Sequence, residues 1–256
     1  MTTRGRARPL LVAHGGASAA APEHTIPAYE AAIRAGADAL ELDVHLSADD
    51  QLVVIHDTTL DRTTSGRGRV RAHTLAELKR LDAGRWFGRA FRGQRLQTLS
   101  EVLERFRDRV VFAVALRGGS EVYPGIEERL VGLLQIYEVT DRAHVVSDDQ
   151  QALARCRALD RGLRLGARLL GRPLAPPAIA PPGALDALWL PADLVSEADV
   201  AACRASGLDC YVWVVSDGEA ARRLRGWGVG GIVTDRPELL RPALEGAAPS
   251  PGGDSC

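Results

Sequence analysis

Two histidines and three carboxylates stand at or near the ends of short apolar stretches early in the chain. His14 comes directly after one such stretch, and His56 with Asp57 ends another. Glu41 and Asp43 lie two positions apart, so on a strand their carboxylates point to the same face, with backbones about 6.5 Å apart. Two buried carboxylates are costly unless a cation compensates them, and oxygen ligands favour Mg²⁺ or Ca²⁺. Histidines beside such a pair suit general acid–base chemistry at a phosphoryl group.

Each of these features also has a simpler explanation. A histidine at a strand end is more often structural than catalytic. Two carboxylates spaced as Glu41 and Asp43 are as often a salt-bridging or solvated pair as a metal site, and Asp57 alone is most simply a turn residue. The combination of all these features on one predicted face favours a functional site.

Strand and helix patterns alternate along the chain and explain how these residues would meet. Apolar stretches of strand length occur at residues 10–13, 39–44, 110–116, 144–146, 163–167, 185–190, 210–215 and 231–234. Most are separated by segments in which apolar residues recur at helical spacing. Eight strands alternating with helices in about 250 residues predict an α/β fold, the TIM barrel, here over residues 1–244. An open doubly wound sheet is the alternative, but no G-x-G-x-x-G follows the first strand.

A further apolar stretch, residues 52–55, follows the second strand after a turn at Asp49 and Asp50. This connection is too short for a crossover helix, so we expect the stretch to fold back antiparallel on the second strand. A turn centred between the two aspartates sets Asp43 opposite His56.

Two segments fall outside the alternating pattern. Residues from about 57 to 98 carry turn signals, a short helix and the pair Trp86-Phe87, and they predict a small insertion after the second barrel strand. Residues 245–256 are rich in Pro, Gly and Ser and predict a disordered tail.

The composition is that of an ordinary globular protein and excludes several classes. Hydrophobic residues make up 46% and charged residues 25%, and 32 basic against 33 acidic residues give a net charge of -1, so nothing indicates a nucleic-acid partner. The four cysteines lack the spacing of a metal site or a disulfide framework. No signal peptide is recognised and no apolar run approaches the ~20 residues of a membrane span, so we expect a cytoplasmic protein. The sequence does not specify an oligomeric state.

A series of motifs along nearly the whole chain resembles the glycerophosphodiester phosphodiesterase family. In chain order they are V-A-H-G-G (12–16), P-E-H-T (22–25), E-L-D-V (41–44), V-I-H-D (54–57), L-D-R-T-T (60–64), L-D-A-G (81–84), T-L-S-E-V-L (98–103), W-V-V-S (213–216) and G-I-V-T-D-R-P (231–237). The family fold is a TIM barrel, which agrees with the strand pattern.

The resemblance implies a phosphodiesterase that acts on a small glycerophosphodiester. It implies that His14 and His56 act as general base and acid and that Glu41 and Asp43 bind a divalent cation, Mg²⁺ or Ca²⁺. By the same resemblance, a glycerol hydroxyl of the substrate would attack the phosphorus, and water would open the resulting cyclic phosphate. The expected products are glycerol 3-phosphate and an alcohol such as choline or ethanolamine.

The resemblance also assigns residues to substrate binding. Glu23 is expected near the metal or the first histidine, and Trp213 is expected to form an apolar wall beside the glycerol. Arg117 stands where the family has a lysine, and its guanidinium is a candidate for direct phosphate binding.

Three positions depart from the family pattern. Gly15 replaces an arginine that meets the phosphate, and Ala115 replaces the glutamate that is the third metal ligand. Ser216 stands where an asparagine is usual. These departures leave open a second hypothesis, a catalytically impaired barrel that binds phosphodiesters. A third is a related barrel that cleaves phospholipid head groups by cyclisation, which an exposed apolar rim around the site would favour.

Overall fold

Eight parallel strands close into a ring with helices around it, in a computed structural model that describes residues 8–179 and 181–245. The strands of the chain are β1 (Leu10–His14), β2 (Ala39–Leu46), β3 (Leu52–Val54), β4 (Gln97–Thr98), β5 (Val111–Leu116), β6 (Ala143–Ser147), β7 (Arg164–Arg168), β8 (Ala187–Pro191), β9 (Asp209–Trp213) and β10 (Gly231–Thr234). The ring is made of β1, β2 and β5 to β10, and it closes because β1 pairs in parallel with both β10 and β2. The predicted TIM barrel is therefore confirmed.

The helices follow the strands in the order expected for this fold. They are α1 (Ile26–Arg34), α2 (Leu75–Leu78), α3 (Leu99–Phe106), α4 (Ile126–Ile136), α5 (Gln150–Leu159), α6 (Glu197–Ala205), α7 (Gly218–Trp227) and α8 (Pro237–Glu245). Side chains cap the starts of α2, α3, α5, α6 and α7. Thr98, for example, accepts from the backbone N–H of Glu101, whose side chain returns to the backbone of Thr98.

Alternation along each strand separates two cores. On β2, Leu40 and Leu42 point outward to the helices, whereas Glu41 and Asp43 point into the ring. The lower interior is filled by apolar side chains, among them Trp189, whose ring stacks on another aromatic at 4.7 Å. The inward carboxylates therefore sit above an apolar plug, at the end of the ring where the carboxyl ends of the strands meet. We call this end the mouth.

The return strand β3 brings the two histidines together, although in a register different from the predicted one. Val44 pairs with Val54, so Ile55 and not His56 lies opposite Asp43. The physical reason is the turn: Asp50 adopts φ 59, and the turn is centred on a residue instead of between the two aspartates. β2 extends further than β1 at the mouth. Beyond the last residue of β1, β3 pairs with β2 in its place, so the chain that follows β3 lies next to the end of β1.

The segment between β3 and β4 is folded and has a small core of its own. The side chains of this core are Val53, Ile55, Leu60, Val70, Leu78, Ala83 and Leu96. It contains α2 and two short 3₁₀ segments, Val70–Ala72 and Arg89–Phe91. Of the predicted tail, residue 245 closes α8, and the rest lies outside the described residues.

Candidate active site

His14, at the carboxyl end of β1, is oriented by a carboxylate from the other end of the chain. Its Nδ1–H donates to Oδ1 of Asp235 at 2.8 Å, and that oxygen also accepts from Ser18 Oγ at 2.8 Å. This leaves Nε2 of the ring to exchange protons. Burial opposes the charged imidazole, but the hydrogen bond with Asp235 and the charges of Glu41 and Asp43 outweigh it and raise the pKa of His14 to about 9.

His56 has a carboxylate partner of its own. Its Nδ1–H donates to Oδ1 of Asp57 at 2.8 Å. Arg62 donates to the other oxygen of Asp57 from Nε at 2.8 Å, and this guanidinium, opposed by burial and helped by His56, lowers the pKa of Asp57 to about 2. The rings of His14 and His56 lie 6.2 Å apart and nearly perpendicular. Two similar histidine–carboxylate pairs therefore converge on one space.

Glu23 lies on the same side of the mouth but is bound by an arginine. Its two oxygens accept from Arg62 at 2.6 and 2.9 Å, so one guanidinium joins Glu23 to Asp57. Gly15 follows the first histidine with φ 63, and a Cβ there would stand 3.2 Å from the Cβ of Glu23. The backbone at this position thus suits glycine better than the arginine of the family pattern.

Asp43 is completely buried and is held by two cationic or donating groups. One oxygen accepts from His24 Nε2 at 2.9 Å and the other from Arg117 Nε at 2.5 Å. Burial alone would favour the neutral acid, but these partners hold the pKa of Asp43 well below its usual range. Asp43 is therefore an anion whose charge the protein itself partly compensates.

Glu41 is less well satisfied. It is 2% exposed, and its nearest cation is Nη1 of Arg168 at 3.5 Å. No hydrogen bond reaches its carboxylate from any residue that the structure describes. Burial, only partly offset by His14, raises the pKa of Glu41. A buried carboxylate without hydrogen bonds has oxygens that are available to bind a ligand.

The mouth contains a donor set that fits a metal ion. A carboxylate oxygen of Asp43 and ring nitrogens of His14 and His56 lie within 4.8 Å of one another. Hard cations prefer oxygen, which the under-satisfied Glu41 and its neighbour Asp43 offer on one face of β2. Ala115 lies opposite Asp43 in the register of β5 and is fully buried, so this corner supplies no ligand. The described group that could hold a cation is thus Asp43 with the two histidines, and Glu41, on the same face of β2, would be a further oxygen ligand.

Arg168, at the end of β7, forms the far side of the mouth. It donates from Nε to Asp148 at 2.7 Å, and its guanidinium lies 5.9 Å from the ring centre of Trp213. Nη1 of Arg117 approaches the same Asp148 at 4.0 Å. Trp213 thus packs against the arginine that approaches Glu41.

The sequence analysis selected seven residues, and the fold brings all of them to the mouth. The seven are His14, Glu23, Glu41, Asp43, His56, Arg117 and Trp213. Sequence reasoning missed Asp235, Arg62 and Arg168 as site residues. All three carried a usable signal. Arg62 lies in the motif L-D-R-T-T, Asp235 follows the last predicted strand, and Arg168 follows residues 163–167.

A pocket of about 370 Å³ opens between the two histidines. Its lining includes His14, His56, Glu23, Arg62 and Asp235. It is polar, and it gives the two free Nε2 atoms access to one small molecule.

Comparison with known proteins agrees with this geometry. The sequence profile of the glycerophosphoryl diester phosphodiesterase family matches residues 14–239. The chain belongs to this family. The resemblance predicted from the sequence is thus confirmed, and with it the expectation of an enzyme of the phosphodiester hydrolase class.

Individual relatives cover almost the whole chain. A glycerophosphodiester phosphodiesterase from Caldanaerobacter subterraneus is 37% identical over 235 residues, which is 90% of this chain and 96% of the relative. One from Bacillus subtilis is 33% identical over 257 residues, 93% of this chain and 87% of the relative. A solved phosphodiesterase from Oleispira antarctica, in complex with the product sn-glycerol-3-phosphate, superposes with a TM-score of 0.88 at 26% identity, covering 93% of this chain and 98% of that one.

None of the described helices combines the length and apolar character that crossing a bilayer requires.

Proposed function

We propose that this protein hydrolyses glycerophosphodiesters to glycerol 3-phosphate and an alcohol. The observation that carries the proposal is the pair of carboxylate-oriented histidines, His14 with Asp235 and His56 with Asp57, facing one pocket above a buried carboxylate pair. The product-bound Oleispira relative supports the same small-molecule class. Such a reaction belongs to lipid and glycerol metabolism. The cytoplasm remains the predicted location of the protein.

The two histidines divide the proton transfers. One Nε2 takes the proton from the glycerol hydroxyl as its oxygen attacks phosphorus, and the other gives a proton to the departing alcohol. The roles then reverse, and water opens the cyclic phosphate. Because Asp235 and Asp57 hold the Nδ1–H groups, each ring keeps one nitrogen directed at the substrate and stays oriented through both steps.

The carboxylates supply the electrostatic part of the proposal. A divalent cation, Mg²⁺ or Ca²⁺, bound by Glu41 and Asp43 would neutralise charge on the phosphate and polarise the attacking oxygen. Arg117 keeps its Nη groups for a phosphate oxygen while its Nε stays on Asp43. Trp213 would line the apolar side of the glycerol. We assign Glu23 to holding Arg62 in place at the edge of the pocket.

The test is release of glycerol 3-phosphate from glycerophosphocholine and glycerophosphoethanolamine, with Mg²⁺, Ca²⁺, Mn²⁺ or chelator. We expect release that needs a divalent cation and that His14→Ala abolishes. No release with any cation, or release that His14→Ala leaves intact, would refute the proposed mechanism.

Ala115 favours a second candidate, a barrel that binds phosphodiesters without turnover. The methyl group lies where the family places a third metal ligand, and it is buried against Asp43. If this candidate is right, the native protein binds glycerol 3-phosphate in calorimetry but releases none from the diesters, whereas Ala115→Glu gains turnover.

A further inference from the structure

A third polar side chain follows Glu41 and Asp43 on the same face of β2. His45 is two positions beyond Asp43, so the alternation of the strand turns it to the same side. It is fully buried and does not line the pocket between His14 and His56. A side chain in this position can influence the reaction only through a neighbouring residue.

Both ring nitrogens of His45 take part in hydrogen bonds. Nε2 lies 3.1 Å from the main-chain carbonyl oxygen of His56, and Nδ1 lies 2.8 Å from the hydroxyl oxygen of Tyr123. A carbonyl oxygen only accepts, so Nε2 carries the proton and donates it to this bond. Burial lowers the pKa of His45 to about 4, so the ring is neutral and Nδ1 accepts from the Tyr123 hydroxyl. With both nitrogens engaged, His45 neither binds a cation nor transfers a proton to substrate.

The bond to His56 holds a stretch of main chain that lies beyond the end of the sheet. β3 ends at Val54, and the last backbone hydrogen bond of the hairpin runs from the Ile55 N–H to the carbonyl of Asp43 at 2.9 Å. Within the described residues, the His45 ring is the one hydrogen-bond partner of the His56 main chain. His45 is therefore placed to fix the position of His56.

The ring of His56 is oriented by a different contact. Asp57 accepts from its Nδ1–H at 2.8 Å, but Asp57 is the next residue in the chain and moves together with His56. Such a contact fixes the rotation of the ring and not its place opposite His14, whose ring lies 6.2 Å away. The two hydrogen bonds therefore have different roles: Asp57 sets the orientation of the ring, and His45 sets its position.

Tyr123 connects His45 to a second part of the mouth. It is buried in the loop that follows β5 and begins with Arg117. Its own N–H donates to the carbonyl of Gly119 at 2.9 Å, and its ring meets that of His45 edge-on, with 5.6 Å between ring centres. The hydroxyl of Tyr123 thus comes from an anchored loop and favours the tautomer of His45 in which Nε2 donates.

We propose that His45, held in one tautomer by Tyr123, is a positioning residue that fixes the main chain of His56 and thereby the place of its ring at the pocket. The inference rests on the proposed function, in which His56 transfers a proton. A misplacement of about 1 Å can cost about 10²-fold in rate. We therefore expect the contribution of His45 to appear in kcat and not in KM.

Two amides of different length test the bond to His56. The side-chain nitrogen of Gln is as many bonds from the backbone as Nε2 of His, whereas the amide of Asn ends at the level of Nδ1. We expect His45→Gln to retain most of the native kcat and His45→Asn to lower kcat about 10- to 100-fold with KM nearly unchanged. Thermal unfolding checks that both variants are folded. Equal kcat in the two folded variants overturns the inference.

Tyr123→Phe tests the same contact without changing His45. Loss of the hydroxyl lets Nδ1 take the proton, and Nε2 and the His56 carbonyl are then both acceptors, so kcat should fall while KM persists. His73→Asn is the matched control, because Nε2 of His73 also lies 3.1 Å from a main-chain carbonyl, that of Arg67. A native kcat in Tyr123→Phe, or an equal loss in His73→Asn, contradicts the inference.

A double-variant cycle tests whether His45 acts through His56. In the His56→Ala background, His45→Asn should lower the residual kcat very little, because the ring that it positions is absent. A purely structural role of His45 would reduce activity equally in both backgrounds. An undiminished loss in the His56→Ala background therefore overturns the inference.

Amide hydrogen exchange tests the contact even if no diester is hydrolysed. We expect the Ile55 amide, at the end of the hairpin, to exchange faster in His45→Asn than in His45→Gln, with β1 and β10 equally protected in both. This difference in a native protein without turnover refutes the proposed function and leaves the positioning contact in place. Equal exchange of Ile55 in the two variants overturns the inference.

Discussion

The two halves of the mouth are built on different principles. Polar atoms meet at 2.6 to 2.9 Å around a polar pocket in the histidine half, which is made of His14, Glu23, His56, Asp57, Arg62 and Asp235. In the arginine half, made of Ala115, Arg117, Asp148, Arg168, Leu170 and Trp213, cations cover the carboxylates inside and aliphatic groups face outward.

The two halves differ in structure because we expect them to serve different functions. Proton transfer needs rings fixed in one orientation, and a carboxylate on each Nδ1–H achieves this before any substrate arrives. Substrate selection needs a surface of defined shape. Apolar walls discriminate between substrates by the contact area that they bury and not by the direction of hydrogen bonds. The histidine half is therefore expected to govern kcat and the arginine half to govern KM and cation demand.

The largest effect is expected at the histidines. His14→Ala or His56→Ala should lower kcat by about 10³-fold, because general acid–base catalysis contributes about 10² to 10⁴. Steady-state release of glycerol 3-phosphate measures it. His73→Ala is the control, since His73 lies in the insertion and contacts a backbone carbonyl there. A histidine variant with near-native kcat would break the proposed division of the mouth.

A smaller effect is expected from Asp235→Asn, which keeps the size of the side chain but removes the charge that orients His14. We predict a fall in kcat of about 10- to 100-fold with KM nearly unchanged. Asp193→Asn, on an exposed loop after β8, should leave both constants alone. An equal rise in KM would show that Asp235 acts on substrate binding instead.

The affinity for a divalent cation tests the role of the arginine half. Ala115→Glu adds a carboxylate beside Asp43, and we expect on the order of tenfold tighter binding of Mg²⁺ or Mn²⁺ in calorimetry. Ala115→Gln has the same volume without the charge and should bind as the native protein does. If the Glu and Gln variants bind the cation with identical affinity, the residue at position 115 does not determine cation binding.

The smallest effect concerns stability and pH in the histidine half. The folded pKa of Asp57 is about 2, below an unfolded value of about 3.9, so its contribution is present above pH 4 and disappears as the pH falls towards 2. Asp57→Asn should therefore lower the free energy of unfolding by about 1 kcal/mol at pH 7, a figure reduced for solvent screening. Urea unfolding from pH 7 to 3 should show the difference shrinking, with the exposed Asp108→Asn as control. A difference that persists at low pH contradicts this assignment.

Much of the site could be predicted because strand ends in a parallel barrel meet at one edge. Glu41 and Asp43 share a face by the period of two, and His14 ends a strand, so their convergence needs no knowledge of the rest of the fold. The register of the hairpin could not be predicted, because it depends on Asp50 taking a left-handed backbone conformation. Moving the turn centre by half a residue placed Ile55 where His56 was expected.

The partners of the site residues were harder to predict because they come from distant parts of the chain. Asp235 lies 221 residues from His14, and Arg168 reaches Glu41 from the far side of the ring. Which arginine meets which carboxylate is decided by the closed ring and not by local pattern.

Pairing of the last strand with the first has a consequence for synthesis of the protein. A nascent chain that has emerged only to β9 already contains both histidines and both buried carboxylates, but neither β10 nor Asp235. The imidazole of His14 has no orienting anion until the ribosome has delivered the final strand. We therefore expect activity only in chains that are long enough to contain β10 and Asp235, so that activity would report closure of the ring.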